Sequence, residues 1–254
     1  MYAEPNPMGG GGAGGGGGQA EYDAERARPF SRLLLGGTVS SLGIGAQTGS
    51  NLGPRIDVRL FGNYTNITHN FTQSGFRIAL NVGMANTGTK VDFYPLRRFP
   101  VRVSPGYLYF NRNGVAARLQ AETDVTFTLN NVDYASDDAH PVHGTGSLQL
   151  GGNGFIATTG LGRYLSHTHK RLTYPFEAGV VFIHQPVARF NLSGTVCNER
   201  APYFCEPAAQ FPTFATNLAA QVRIWNRRIA PFHIYPILEG GVAYSFNMPH
   251  RRGW

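Results

Sequence analysis

Few side chains in this sequence could do chemistry. Cys197 and Cys205, the only two cysteines, flank the polar stretch Asn198-Glu199-Arg200-Ala201-Pro202-Tyr203-Phe204. Two thiols at that spacing in an oxidising compartment form one disulfide. A closed zinc site would want four ligands, so metal is not expected there. His140-Pro141-Val142-His143 and His167-Thr168-His169 are the candidate metal pairs. Residues two apart on a strand share a face, but no carboxylate stands beside the second pair, and both pairs fall in connectors. They read as solvated loop histidines, and neither metal nor cofactor is expected. Ser104, Ser245, His184, His233, Glu177 and Glu239 are the raw material for hydrolysis. They lack the spacing of a nucleophile, a base and an orienting group, so no catalytic role is expected. Asn63-Tyr64-Thr65, Asn66-Ile67-Thr68 and Asn70-Phe71-Thr72 match glycosylation sequons; they read as polar loop composition.

The elements that must position these residues follow from composition. The chain has 254 residues, with 33 Gly, 12% aromatic and 15% charged residues. An ordinary soluble domain carries roughly 25% charged residues. Low charge with abundant Gly, Asn and Thr describes short strands and turns. No apolar run reaches the ~18 residues of a transmembrane helix. The net charge of +7 is almost entirely arginine, since Lys90 and Lys170 are the only lysines. The arginines are scattered, with no run longer than Arg97-Arg98, Arg227-Arg228 or Arg251-Arg252. Nucleic-acid binders concentrate such charge, so nucleic acid is not an expected partner.

Residues 1–31 read as a disordered Gly-rich segment, because the run from Gly9 to Gly18 cannot bury surface. No signal peptide is visible in this numbering. From about Leu33 the pattern has a period of two, and 32–246 reads as one barrel domain followed by a tail, 247–254. Ile56, Val58 and Leu60 oppose Asp57 and Arg59. Ile78, Leu80, Val82 and Met84 oppose Arg77, Ala79, Asn81 and Gly83. Similar alternation runs through 101–109, 172–182 and 238–246, and more weakly through 36–46, 124–129, 147–150 and 155–161. Such alternation predicts half-buried antiparallel strands. Val91 and Phe93 are apolar on odd numbers, which predicts either a β-bulge near Asn86-Thr87-Gly88 or a hairpin turn there. Residues 65–75 and 111–145 read as long polar connectors. One helix is expected, over about 211–229, from Phe211, Phe214, Leu218, Val222, Trp225 and Ile229. It could plug a barrel mouth, lie on a membrane or pack as a soluble helix.

The apolar face could point into a soluble calycin-like barrel that binds a small apolar ligand, or out into lipid. The opposite face decides for lipid. Asp57, Arg59, Arg77, Asn81, Arg102, Ser104, Glu177, Glu239 and many Gly and Ala suit a narrow, filled lumen. Asp57, Arg59, Arg77, Arg102, Glu177 and Glu239 are accordingly expected to form a lumen charge network, since buried charges must be paired. Tyr94, Tyr109, Tyr164, Tyr174, Tyr235, Tyr244 and Phe246 near strand ends would form the girdles. Leu80 is expected to face lipid and Asn81 the lumen.

Two stretches carry a family resemblance. Asp92-Phe93-Tyr94-Pro95, the turn 96–100, and Ser104, Gly106, Tyr107 and Tyr109 ending at Asn111 form the first. Tyr235-Pro236 followed by Gly240-Gly241-Val242-Ala243-Tyr244-Ser245-Phe246 forms the second. On these the chain resembles small Gram-negative outer-membrane barrels of the OmpA-type group. The resemblance implies a closed, antiparallel, up-and-down transmembrane β-barrel of eight strands, and the spacing adds the helix before the last strand. It also implies location in the bacterial outer membrane, contact with lipid and lipopolysaccharide, and an assembly signal at Tyr244 and Phe246 read by the barrel-assembly machinery. A monomer with a structural, surface-anchoring role is expected; a small-solute pore or transporter is the alternative.

Overall fold

The structure, a computed structural model, describes residues 28–96, 101–123, 125–165, 171–198 and 204–248. The first five strands are β1 (Arg32–Ser40), β2 (Gly43–Asn51), β3 (Ile56–Gln73), β4 (Phe76–Phe93) and β5 (Val101–Asn111). Then follow β6 (Gly114–Ala121), β7 (Thr126–Leu129), β8 (Val132–Ser136), β9 (His143–Gln149), β10 (Gly154–Leu161), β11 (Leu172–Thr173) and β12 (Phe176–Phe182). The chain ends with β13 (Val187–Ser193), β14 (Thr195–Asn198), β15 (Cys205–Pro207), helix α1 (Pro212–Ile229) and β16 (Ile234–Asn247).

Eight strands form an antiparallel ring in the order β1-β2-β3-β4-β5-β10-β12-β16, with β16 returning to β1. Arg32 opposite Asn247 brings the first and last ring strands together at one end. The connections β2–β3, β4–β5 and β10–β12 lie at that same end. The other end carries the tight turn at Ser41-Leu42, the β3–β4 hairpin and two excursions, 112–153 and 183–233. The weak pattern over 36–46 is therefore two strands meeting at a turn, not one. The pattern over 172–182 is likewise split, because Pro175 has no N–H for the ladder; its carbonyl still accepts from Gly241 at 3.1 Å.

The parity change near Gly88 has two components. Against β5, Thr87 opposes Phe110 while Gly88 opposes Leu108, so Tyr109 is the extra residue of a bulge. Against β3, by contrast, β4 pairs without interruption from Phe93–Ile56 to Phe76–Gln73. The strand does not turn over; its surroundings change. In the ring, Lys90 and Asp92 point inward and Val91 and Phe93 outward. Beyond the ring, Ile78, Leu80 and Val82 continue the inward side, and Arg77, Ala79, Asn81 and Gly83 continue the outward side. This corrects the expected placement of Leu80 toward lipid and of Asn81 in the lumen. Asn81 donates to Asn66 Oδ1 (2.6 Å) and Thr68 Oγ1 (3.0 Å) on an exposed face.

The excursions expected as polar loops instead build an outer unit. Strands β6, β9 and β13 extend the upper half of β4 into a sheet, and β7, β8, β14 and β15 form a second sheet. Between them Ala121, Val125, Leu129, Tyr134, Val142, Val196, Ala208, Phe211 and Phe214 are buried together. Helix α1 begins with a proline in its first turn, where a missing N–H costs nothing. It neither plugs the ring nor lies apart from the fold. Its Trp225 packs on Phe190 (ring centroids 4.7 Å apart) and its Asn226 amide bonds both backbone groups of Ala188. Cys197 and Cys205 face each other across β14–β15 and are joined by a disulfide.

The bond closes a loop short enough that its entropic contribution is about 2–3 kcal/mol. Cys197→Ala with Cys205→Ala should therefore expose 112–233 to limited trypsin at lower protease concentration while the ring peptides stay protected. Unchanged cleavage would mean that the bond adds no stability.

Candidate functional site: the charged interior of the ring

Alternation places one residue in two of each ring strand inside, and near the middle of the ring these are charged. Asp57, Arg59, Lys90, Asp92, Arg102, Glu177 and Glu239 are each no more than 2% exposed. Glu177 on β12 is the hub. Its Oε2 accepts from Arg59 Nη2 (2.9 Å) and Arg102 Nη2 (2.8 Å), and its Oε1 from Lys90 Nζ. Asp92 takes Arg59 in a two-pronged contact, Nε at 2.5 Å and Nη2 at 2.7 Å, and accepts from Ser104 Oγ at 2.5 Å. Lys90 also donates to Glu239 Oε2 at 3.2 Å, and Arg59 Nη1 to Gln47 Oε1 at 2.8 Å. Planar, two-pronged arginine–carboxylate contacts fix orientation as well as charge.

Close approach of these long cations to the wall depends on glycine. Gly49 lies opposite Arg59, Gly106 opposite Lys90 and Gly160 opposite Arg102. A Cβ at each would come within 2.9, 2.9 and 2.7 Å of that neighbour's side chain. The many glycines opposite the apolar face thus have a packing reason.

The charged layer is sealed on both sides. At the end where β1 begins and β16 finishes, residues 162–165 of the β10–β12 connection fold inward. Its Tyr164 stacks under the guanidinium groups of Arg59 (3.7 Å) and Arg102 (4.3 Å) and donates to Glu239 Oε1 at 2.9 Å. Leu34, Leu165 and Ala243 pack around it. Toward the outer unit, Leu42, Phe61, Leu108, Ile156, Val181, Ile183 and Ile237 form an apolar layer. Near it, Asn63 donates to Asn86 (2.9 Å) and Asn86 to Asn113 (3.2 Å). Such an arrangement can brace a wall and exclude water; the carboxylates of Asp92, Glu177 and Glu239 are already occupied by cations.

Of the charged residues expected together, the ring gathers Asp57, Arg59, Arg102, Glu177 and Glu239. Arg77 is not among them. It stands on the outer unit, 71% exposed, with Nε 3.0 Å from Glu122, because its part of β4 lies beyond the ring. Lys90, Asp92, Gln47 and Tyr164 were missed by the sequence reading. The signal for the first two was present: Lys90 and Asp92 alternate with Val91 and Phe93, which makes them the inward pair. Tyr94 and Tyr164, expected in the girdles, are buried inside at no more than 1% exposure. Tyr244 and Phe246 stack on the outward side of β16, centroids 4.7 Å apart. Ser104 donates to Asp92, and Ser245 to the Tyr164 carbonyl. His143 lies on β9 instead of in a connector, and His167 and His169 fall outside the described residues.

No known protein family matches the chain, and no curated protein matches it by sequence. Solved structures do. Acinetobacter baumannii CarO superposes with a TM-score of 0.54 at 16% identity, over 86% of this chain and 98% of CarO. Acinetobacter baumannii CarO2 gives 0.56 at 14%, over 86% and 100%. At those identities the likeness is one of fold. A major outer membrane protein from Thermus thermophilus aligns over 85% of this chain and 99% of its own at 12% identity, with a TM-score of 0.33 that is too low to carry an argument.

Removing one member of a buried ion cluster leaves charge unpaired and costs about 3–5 kcal/mol, whereas exposed pairs contribute about 0–1 kcal/mol. Glu177→Gln should accordingly lower the urea midpoint of the micelle-refolded protein steeply, with Arg77→Gln nearly neutral. Equal effects of the two would show that the hub does not hold the ring.

Proposed function

We propose that this chain is an integral outer-membrane β-barrel whose filled lumen makes it a structural anchor for the outer unit, not a conduit or a catalyst. The carrying observation is the inversion of polarity across the ring wall. Outside, Leu35, Val39, Ile44, Ile56, Leu60, Val103, Tyr107, Phe155, Phe176, Leu238 and Val242 are all exposed. Inside lie the charges. Soluble monomers rarely expose contiguous apolar patches larger than a few hundred Å², and a belt around a whole ring is satisfied by hydrocarbon. A closed ring leaves no strand edge for lipid to meet. The calycin alternative requires the opposite arrangement of faces. The fold shared with CarO supports the reading, as does the grouping of longer connections at the end away from Arg32 and Asn247, the pattern of outer-membrane barrels. In this reading the ends carrying Arg32 and Asn247 face the periplasm and the outer unit faces outside.

The partners of the proposal are lipid, lipopolysaccharide and the barrel-assembly machinery, the last engaging Tyr244 and Phe246 on the lipid side of β16; the protein acts as a monomer. Unboiled protein should migrate faster than boiled protein on SDS gels. Leu60→Arg should cost about 2–4 kcal/mol of folding stability in lipid vesicles. Planar bilayers containing the refolded protein should show no unit conductance, because the charged and apolar layers both cross the lumen. Recovery of folded protein from detergent-free cytosol would overturn the reading, and steady channel steps would replace the anchor by a pore.

A further inference from the structure

The outward side of the β3–β4 hairpin changes character along its length without a break in pairing. From Ile56 to Tyr64 it is apolar; from Asn66 it is polar. Beyond that boundary the sheet widens, and its residues align in cross-strand rows. One row runs Thr68-Asn81-Ala116-Ser147-Arg189, the next Asn70-Ala79-Arg118-Thr145-Asn191, the last Thr72-Arg77-Gln120-His143-Ser193. No acidic residue stands on these rows, and among the described residues neither Arg118 nor Arg189 has a carboxylate within ion-pair distance. The face is concave. A groove of about 1380 Å³ lies over the upper rows, between Arg77, Arg118, His143 and Asn191. A second hollow of about 530 Å³ lies below it, bounded by Asn81, Arg112, Ser147 and Gln149. Arg112 stands 5.2 Å over the ring of Phe110, an exposed aromatic at the bulge, as a cation does that reaches from the hydrocarbon boundary toward charge above it.

We propose that this face binds the phosphorylated saccharide headgroup of lipopolysaccharide in the outer leaflet. The inference rests on the membrane reading above. If Ile56 to Tyr64 lie in hydrocarbon, the next rows of the same wall stand at headgroup height by continuity. There the surroundings are sugar hydroxyls and phosphates. The Asn, Gln, Ser and Thr side chains offer paired donors and acceptors to hydroxyls. Arg118 and Arg189 on separate rows, with Arg112 at the edge of the lower hollow, match phosphates spread over a saccharide better than one compact anion. Alanine and glycine at 79, 83, 114 and 116 keep the floor low enough for a sugar ring to settle.

The test uses the full chain refolded in zwitterionic micelles and four probes: deep-rough lipopolysaccharide, the same material dephosphorylated, phosphatidylglycerol, and the delipidated phosphorylated core saccharide. Binding is read by native mass spectrometry and titration. Wild type should hold lipopolysaccharide at least tenfold more tightly than the dephosphorylated form or phosphatidylglycerol. Arg112→Gln/Arg118→Gln/Arg189→Gln should lose at least tenfold while keeping its heat-dependent gel shift. Full binding by this variant, or by the dephosphorylated probe, would overturn the proposal, as would equal binding of phosphatidylglycerol, which would reduce the face to general charge attraction. The soluble core saccharide separates the two readings. If wild type shows no gel shift the membrane reading fails, and saccharide binding still decides the groove.

Discussion

The Glu177 carboxylate, shared by Arg59, Lys90 and Arg102, is the contact on which the ring depends. The four side chains come from four different strands, so a single group ties β3, β4, β5 and β12 across the lumen. In an interior closed to water by Tyr164 below and the Phe61–Ile237 layer above, charge attraction is far stronger than at a surface, and so is the cost of a missing partner. The cluster also explains the composition of the wall. Three long cations inside eight strands leave little room, and Gly49, Gly106 and Gly160 supply it where each cation passes its neighbour.

Much of the ring was legible from alternation alone. The strands at 56–60, 101–109 and 238–246, the inward placement of Asp57, Arg59, Arg102, Glu177 and Glu239, and the helix near 211–229 all follow from spacing, because side-chain direction in a strand is fixed by parity. The reading fails where parity is right but the surroundings are not. Arg77 and Asn81 share a face, as their spacing implies, yet no local pattern says how far along β4 the ring ends. Tyr94 and Tyr164 show a similar limit: an aromatic near a strand end suits an interface girdle or a plug equally, and only the path of the β10–β12 connection separates them. The outer unit was hidden for another reason. Its strands are short: alternation marked 124–129 and 147–150 only weakly, and apolar residues elsewhere, such as Val142 and Val196, are too few in any one segment to stand out from a polar loop.

The long β3–β4 hairpin is the joint between ring and outer unit. One continuous ladder of hydrogen bonds has four environments around it: charged interior and apolar outer belt below, apolar core and polar outer face above. The upper half of β4 exchanges its neighbour β5 for β6 near the bulge at Tyr109, which lets the outer sheet spread without opening the ring below. The outer unit is therefore carried rigidly by the wall, with Phe76 at the hairpin tip packed against its core.

The order of the hub residues along the chain sets a timetable. Without Glu177 and Glu239, the buried charges of the ring are Arg32, Arg59, Lys90 and Arg102 against Asp57 and Asp92, an excess of two positive charges. The neutralising carboxylates arrive late: Arg59 and Glu177 are 118 residues apart, and Lys90 and Glu239 149. A wall that lacks its final strands thus carries unpaired charge in an interior where a missing partner is costly. Electrical neutrality and the last seam, β16 against β1, are reached together, so a sheet that lacks β16 is at once open and unbalanced.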